Sequence, residues 1–160
     1  MSEHLPWLLE AGTSFVDLGC GCGGVVQHIQ STGATCLGIT YQQREVEEAT
    51  KRGIPNVCFG DIHEFEAYGT VRFDGALCWD VIEHAISPLI VLKNVYNALA
   101  PGGRFLMFVP GQRWSRSWYH VLVPLPEQMR HLLELAGFTS TTCIAYDHED
   151  EGQAVYKVTK

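Results

Sequence analysis

The sequence predicts an α/β fold built around a mainly parallel sheet, and two observations carry that prediction. Short apolar segments alternate with segments of helical periodicity along most of the 160 residues, as in strands joined by crossover helices. Only HEDEG, at 148–152, separates the last two apolar segments, a connection so short that the strands must pair antiparallel. We therefore expect one domain over 1–160, with a seven-stranded, mostly parallel sheet, one antiparallel strand near its edge and helices on both faces.

Seven segments have the short apolar composition of buried strands. The first ends in glycine, and a proline precedes the third. The expected strands are 14–19, 34–40, 56–61, 73–80, 104–110, 138–147 and 153–159.

Four helices are indicated by apolar periodicity together with residues typical of helix ends. The first two end in glycine, the third has serine and proline at its start, and the fourth begins at proline and stops at Gly137. The expected helices are 24–33, 43–53, one that begins at Ser87-Pro88 and ends at Pro101-Gly102-Gly103, and 126–136.

Composition excludes several classes of protein. The net charge of −7 argues against binding nucleic acid through an overall positive field. No apolar run approaches the ~20 residues of a membrane span, and the acidic N-terminal segment does not resemble a signal peptide. Six scattered cysteines are typical of free thiols in a reducing compartment, so we expect a cytoplasmic protein. We also expect a monomer or homodimer.

The segments expected to bear the site follow the strands. In parallel α/β sheets ligands bind at the carboxyl ends of the strands. The segments at that edge are Gly19–Gly24, Thr40–Gln43, Asp61–His63, Trp79–His84 and the long irregular stretch 111–125.

The stretch VDLGCGCGG, at 16–24, joins a strand to a helix through glycines that let the backbone approach a ligand. A dinucleotide site would also have an acid at the end of the second strand, where Thr40 stands. The acid lies before the glycines instead, at Asp17, where it suits a cation or amine better than a pyrophosphate. No second cysteine pair is present to complete a metal site with Cys20 and Cys22.

These motifs resemble, in order, those of the class I S-adenosylmethionine-dependent methyltransferases, which have a Rossmann-like fold. The resemblance covers nearly the whole chain, although only about a dozen residues precede the first motif, so part of the family's usual helical cap is expected to be missing. Its motifs are VDLGCGCG at 16–23, LGIT at 37–40, GDI at 60–62, FDGALCWDVIEHAISP at 73–88, LAPGGRFLMFVP at 99–110 and PLPEQMRHLLELAGF at 124–138.

The resemblance implies a site for S-adenosylmethionine, with S-adenosylhomocysteine as product. Asp17 and the backbone of Gly19 would hold the methionine ammonium, and Cys20 would offer its backbone. Gly21 would permit close approach of the ligand, and the carbonyl of Cys78 would close on the methionine end.

At the nucleoside end the resemblance implies contacts from the second and third strands. Thr40 would replace the usual ribose carboxylate with a hydroxyl, supplemented by Gln43 or the preceding glutamine. Tyr41 would pack on the adenine face. Asp61 would accept the adenine amino group beside the backbone N–H of Ile62.

The sequence DVIEH places Asp80, Glu83 and His84 where the acceptor should lie. Three interpretations stay open. Glu83 or His84 is a general base; the three side chains hold a divalent metal, since carboxylates and imidazole suit such ions; or the motif is structural. No further ligand is placed by spacing, so no metal site is predicted.

The stretch GQRWSRSWYHVLVPL, at 111–125, interleaves aromatic and basic residues and contains His120, a second candidate base. It could stack a base or bind a phosphate, lie against lipid, or be a lid whose aromatic side chains plug the core.

The favoured function is an enzyme that transfers a methyl group to a small-molecule or lipid-like acceptor by in-line displacement. One alternative is a module that binds S-adenosylmethionine or S-adenosylhomocysteine without turnover. Another is a nicotinamide-dependent reductase, which Asp17 and Thr40 disfavour.

Overall fold

A computed structural model describes residues 3–64, 71–145 and 153–160 of the chain. Its centre is a seven-stranded sheet with the order β3-β2-β1-β4-β5-β7-β6. β7 pairs antiparallel with both β5 and β6, and the other pairs are parallel. The predicted fold class is therefore confirmed. The strands are β1 Ser14–Leu18, β2 Thr35–Thr40, β3 Val57–Phe59, β4 Phe73–Trp79, β5 Leu99–Pro110, β6 Ser140–Ala145 and β7 Gln153–Thr159.

In the described ranges, five α-helices flank the sheet: α1 Leu5–Leu9, α2 Gly24–Ser31, α3 Gln43–Lys51, α4 Pro88–Ala98 and α5 Pro126–Ala136. Val91 and Leu133, from α4 and α5, pack in one core cluster with Val16 of β1. Leu8 and Val26, from α1 and α2, pack in a second cluster on the opposite face of the sheet. Helices thus cover both faces, because successive strand side chains point to opposite sides.

The structure differs from the sequence prediction before β1, where no element was expected. Leu5 and Leu8 of α1 are buried, and Arg104 of β5 donates a hydrogen bond to the carbonyl of Trp7 and pairs with Glu10 at 3.0 Å. A five-residue helix is too short to show an apolar periodicity in the sequence, and it is stabilised by its contacts with the sheet.

The predicted end of the third helix is also corrected. α4 ends at Ala98, and Leu99 already belongs to β5, which runs through the Pro101-Gly102-Gly103 turn with a register shift against β4. Ser87 precedes the helix as expected, but its side chain makes no capping hydrogen bond. Its backbone N–H donates to His63 Nε2 instead, at 3.3 Å.

The predicted HEDEG turn lies outside the described residues, although the antiparallel pairing expected on either side of it is present. Within the described ranges, no helix combines the length and the apolar character that a membrane crossing requires.

Candidate active site

The carboxyl ends of β2, β1 and β4 lie side by side and form one edge of the sheet. The glycine loop after β1 is fastened to β2, because the N–H groups of Gly19 and Cys20 both donate to the carbonyl of Ile39, at 2.8 and 3.0 Å. The segments 19–24, 40–43 and 79–84, which the sequence placed at the site, therefore follow neighbouring strands at this edge.

Asp17 is the buried acid of this edge, with 3% of its surface exposed. Burial raises the pKa of its carboxyl from 3.8 to about 7, because an anion is poorly solvated there. An ammonium group placed beside it would favour the ionised form. The site is thus suited to a cationic ligand group at the end of β1.

The glycine loop has the backbone geometry that its glycines allow. Gly19 has φ +76°, and an added Cβ would lie 2.2 Å from Cγ2 of Val81, so a side chain there would collide with the segment after β4. Gly21 has φ +53° and faces open space. The loop is therefore closed on the β4 side and open where a ligand can approach.

Burial raises the pKa of the Cys20 and Cys78 thiols, which keeps both protonated. Cys20 Sγ lies against Gly38, where an added Cβ would be 2.7 Å away. Its side chain packs the loop onto β2, and its backbone is engaged as well, since its N–H donates to Ile39 and its carbonyl accepts the N–H of Gly23 at 3.0 Å.

At the end of β2, Thr40 is 2% exposed and does not stand free. Its hydroxyl donates to Oε2 of Glu45, in the first turn of α3, and accepts the N–H of Gln42 at 3.3 Å. Sequence reasoning missed Glu45, although an acid five residues after the strand end was a visible signal. Tyr41 is 73% exposed beside Thr40, and Gln43 is the exposed first residue of α3.

At the end of β3, Asp61 is exposed and is oriented by His63. Its Oδ1 accepts the backbone N–H and the Nδ1–H of His63, both at 2.8 Å. These bonds hold the pKa of the Asp61 carboxyl below its usual range. The carbonyl of the half-buried Ile62 accepts a hydrogen bond from Asn94 at 3.3 Å, which ties this turn to α4.

After β4 the chain turns sharply at Asp80, which has φ +51°. Asp80 Oδ1 accepts a hydrogen bond from Nε2 of Gln153 at 2.7 Å, a contact that spans 73 residues of sequence. A 3₁₀ turn over Ile82–His84 follows and carries the two candidate bases of this motif.

Glu83, His84 and His120 come together next to Asp80. One ligand atom from each of the three lies within 4.8 Å of the others, and theirs is the one such metal-capable group across the part of the chain that the structure describes. The metal interpretation of the sequence used Asp80 as the third ligand, but Asp80 does not belong to this group. His120, from a distant segment, takes its place. The backbone brings this about, since the carbonyl of Glu83 accepts the N–H groups of Val121 and Leu122, at 2.7 and 3.1 Å.

Hydrogen bonds leave both imidazoles with Nε2 available. His84 Nδ1 donates to the carbonyl of Tyr119 at 3.0 Å, and His120 Nδ1 donates to the carbonyl of Trp114 at 2.9 Å. A carbonyl only accepts, so each Nδ1 carries the proton and each neutral ring keeps a lone pair on Nε2. His84 Nε2 lies 3.8 Å from Oε1 of Glu83.

Glu83 is 1% exposed, and within the described residues its Oε2 has no hydrogen-bond partner. Burial, assisted by the charge of Asp80, raises the pKa of the Glu83 carboxyl to about 7. Chemically, the Nε2 atoms of two imidazoles and a buried carboxyl can accept a proton or ligate a cation.

The aromatic side chains of 111–125 do not plug the core. Trp118 is 91% exposed, and Trp114 and Tyr119 are about half exposed. A 3₁₀ turn over Gln112–Arg116 opens this segment, and the ring of Tyr119 lies 5.7 Å from that of His84. The segment thus presents aromatic surface next to the histidine pair.

A methyltransferase-domain family matches residues 2–143. Among curated relatives, an S-adenosyl-L-methionine-dependent Diels-Alderase of Talaromyces variabilis is 31% identical over 67% of the chain and 40% of its own length. A ubiquinone biosynthesis O-methyltransferase of Methylobacterium nodulans is 30% identical over 62% of the chain and 41% of its own. The alignments thus span about two-fifths of these relatives' lengths.

Solved structures share the fold. A SAM-dependent methyltransferase from Archaeoglobus fulgidus superposes with a TM-score of 0.84 at 15% identity, over 98% of this chain and 90% of its own. Magnesium protoporphyrin IX methyltransferase from Synechocystis, with bound SAH, superposes with a TM-score of 0.77 at 15% identity, over 98% and 80%.

Proposed function

Because the chain belongs to the methyltransferase-domain family of S-adenosylmethionine-dependent proteins, we propose that it transfers the methyl group of S-adenosylmethionine to a small-molecule or lipid-like acceptor. The observation that carries this proposal is the buried carboxyl of Asp17 beneath an open glycine loop. In this proposal the ammonium group of the ligand would lie at Asp17 and at the backbone of Gly19 and Gly21. Asp61 and Ile62 would meet the adenine edge, Tyr41 its face, and the carbonyl of Cys78 the methionine.

The reaction is a single in-line displacement. A lone pair of the acceptor forms a bond to the methyl carbon, and the carbon–sulfur bond breaks with its electrons passing to sulfur, so S-adenosylhomocysteine leaves as a neutral thioether. The protein aligns the two partners and excludes water from them. When the nucleophile is a hydroxyl, Nε2 of His84 or His120 would accept its proton, since a carbonyl engages each Nδ1 and the two rings lie 4.9 Å apart.

The same three side chains support a second role, as ligands of a divalent cation. Two imidazole nitrogens and a buried carboxylate oxygen form a donor set that suits zinc or a similar ion. The unpartnered Oε2 of Glu83 favours this role, because a buried carboxylate oxygen without a partner is costly. A bound cation would supply a positive charge that lowers the pKa of an acceptor hydroxyl.

The test is methyl transfer from S-adenosylmethionine labelled in its methyl group to a panel of phenols, catechols, amines and lipid-like quinone precursors. Donor consumption and product labelling are measured separately, because one relative is named for a Diels-Alder reaction and not for methyl transfer. We expect labelled product with at least one acceptor, and loss of most of it in His84→Ala and His120→Ala variants that still bind S-adenosylhomocysteine.

A chelator arm separates the two roles of the cluster. If a chelator abolishes product formation and zinc or magnesium restores it, the cluster binds a cation. If the chelator has no effect on product formation, the result supports the role of a histidine as general base. Binding of the labelled donor with no transfer to any acceptor contradicts the proposed activity and supports the module without turnover.

We also propose a cytoplasmic location and a monomer or homodimer. The location is supported by the six cysteines, all of which are free thiols, as expected in a reducing compartment. Light scattering on the purified chain measures the oligomeric state.

A further inference from the structure

The large apolar side chains that the protein exposes are concentrated in one part of the chain. Of the twelve that are exposed among the described residues, eight lie within 86–125. Ile86 and Trp118 are the most exposed of them, with 85% and 91% of their surfaces accessible. Single exposed apolar residues are normal on a protein surface, whereas a concentration of this kind is typical of a contact surface.

Hydrogen bonds and ring contacts bring the two ends of this range together. The segment after Tyr119 is hydrogen-bonded to the carbonyl of Glu83, just before Ile86 in the chain. The ring of Tyr119 lies 5.3 Å from that of Trp118 and 5.7 Å from that of His84. We call the resulting patch the aromatic surface, and it consists of Ile86, Trp114, Trp118, Tyr119, Val121 and Leu122.

The aromatic surface lies in a positively charged part of an acidic chain. Between Glu83 and Glu127 the sequence contains no aspartate or glutamate, but it contains four of the 11 lysines and arginines. The chain as a whole has a net charge of −7. Arg116 is exposed within the aromatic surface itself. An anionic partner would therefore be attracted to this part of the protein and repelled by the rest.

A second copy of the chain does not suit this surface. In a two-fold symmetric dimer the same patch faces itself, so Arg116 would lie opposite its own counterpart. The two positive segments would repel each other across such an interface. The charge of the surface thus favours an anionic partner over self-association.

The side chains of the surface suit the headgroup region of a bilayer. Tryptophan and tyrosine prefer that depth because each combines an apolar ring with a polar group. Ser115, Arg116 and Ser117 lie between the two tryptophans and provide hydrogen-bond donors and a positive charge for lipid phosphates. Ile86, Val121 and Leu122 add aliphatic surface for the acyl boundary.

We propose that the aromatic surface docks the protein on a bilayer that contains anionic lipids. Trp118 and Ile86 enter the headgroup region, and Arg116 pairs with lipid phosphate. Because the surface borders His84 and His120, an acceptor carried in the bilayer would reach the candidate bases directly. That use of the docked state rests on the proposed function, whereas the docking does not.

The experiment is co-sedimentation of the chain with vesicles of phosphatidylcholine alone and of phosphatidylcholine mixed with phosphatidylglycerol. We expect stronger binding to the mixed vesicles, and weaker binding as salt is added. Trp118→Ala and Ile86→Ser should each weaken binding to the mixed vesicles about tenfold, because apolar burial is lost. Arg116→Gln should weaken it about fivefold, because one positive charge is lost.

Two exposed residues outside the positive stretch provide matched controls. Leu135→Ser on α5 and Lys51→Gln on α3 should bind vesicles like the unaltered chain. Trp118→Phe keeps an aromatic ring and should retain most of the binding, while quenching of tryptophan fluorescence by brominated lipid decreases. Melting temperatures in the absence of vesicles identify variants that fail to fold.

The outcomes separate the docking from the proposed function. Failure of the unaltered chain to bind the mixed vesicles, or equal binding by a folded Trp118→Ala variant, overturns the docking. A dimer that Trp118→Ala dissociates, in a chain that does not bind vesicles, overturns it in favour of a second copy. Methyl transfer to a water-soluble acceptor without vesicle binding overturns the docking alone, and vesicle binding without any methyl transfer supports the docking and contradicts the proposed function.

Discussion

Asp17 carries the strongest electrostatic prediction of the molecule. Its pKa is about 7 in the folded chain against 3.8 for an ordinary aspartate, so the folded state binds more protons between those values. The stability of the ligand-free protein should therefore fall as pH rises through this range. Asp17→Asn removes that dependence, and its free energy of unfolding should exceed that of the unaltered chain near pH 8 by up to about 4 kcal/mol.

Chemical denaturation of both proteins between about pH 5 and pH 8 measures this difference. Glu83, whose pKa is also raised to about 7, titrates in both proteins, so comparing them isolates Asp17. If the free energies of unfolding of the two proteins changed in parallel with pH, the raised pKa of a buried Asp17 would be contradicted.

Which site residues the sequence revealed depends on where their partners come from. Asp17 was proposed because it precedes the glycine turn after β1, and Thr40 because it ends β2; both positions follow from local patterning. The contact of Gln153 with Asp80 and the entry of His120 beside Glu83 were not found, because each joins segments far apart in sequence. Such contacts depend on strand order, which the local pattern does not encode.

Helix ends show where local sequence decides structure. α5 begins at Pro126 and stops before Gly137, as predicted, and Gly137 has φ +113°. That conformation is strained for any residue with a Cβ. α1 was missed for the opposite reason, because its five residues are helical through contacts with the sheet and not through their own periodicity.

Two glycines at helix ends permit a matched prediction. An added Cβ at Gly137 would lie 3.0–3.2 Å from the ring of Tyr96, whereas at Gly33, with φ +89°, it would meet open space. Gly33→Ala should destabilise the fold by about 1 kcal/mol through backbone strain alone, and Gly137→Ala by more, since crowding is added. Thermal denaturation of both variants measures this order, and equal losses would show that Tyr96 gives way without cost.

At the scale of the whole molecule, the sheet order explains why the glycine loop after β1 lies beside the pair His84 and His120. β1 and β4 are adjacent, so the glycine loop and the 3₁₀ turn Ile82–His84 follow adjacent strands. β7 then inserts between β5 and β6 and brings Gln153 to Asp80. In the proposed function one set of these residues would serve the methyl donor and the other the acceptor, an arrangement that an in-line transfer requires.

The central claim is that this edge binds S-adenosylmethionine through Asp17, and calorimetric titration with S-adenosylhomocysteine and with NAD tests it most directly. We predict saturable binding of S-adenosylhomocysteine to one site per chain, no binding of NAD, and affinity weakened at least about tenfold in a folded Asp17→Asn variant near pH 8. Binding of NAD in place of S-adenosylhomocysteine, or full affinity in the variant, would contradict the account.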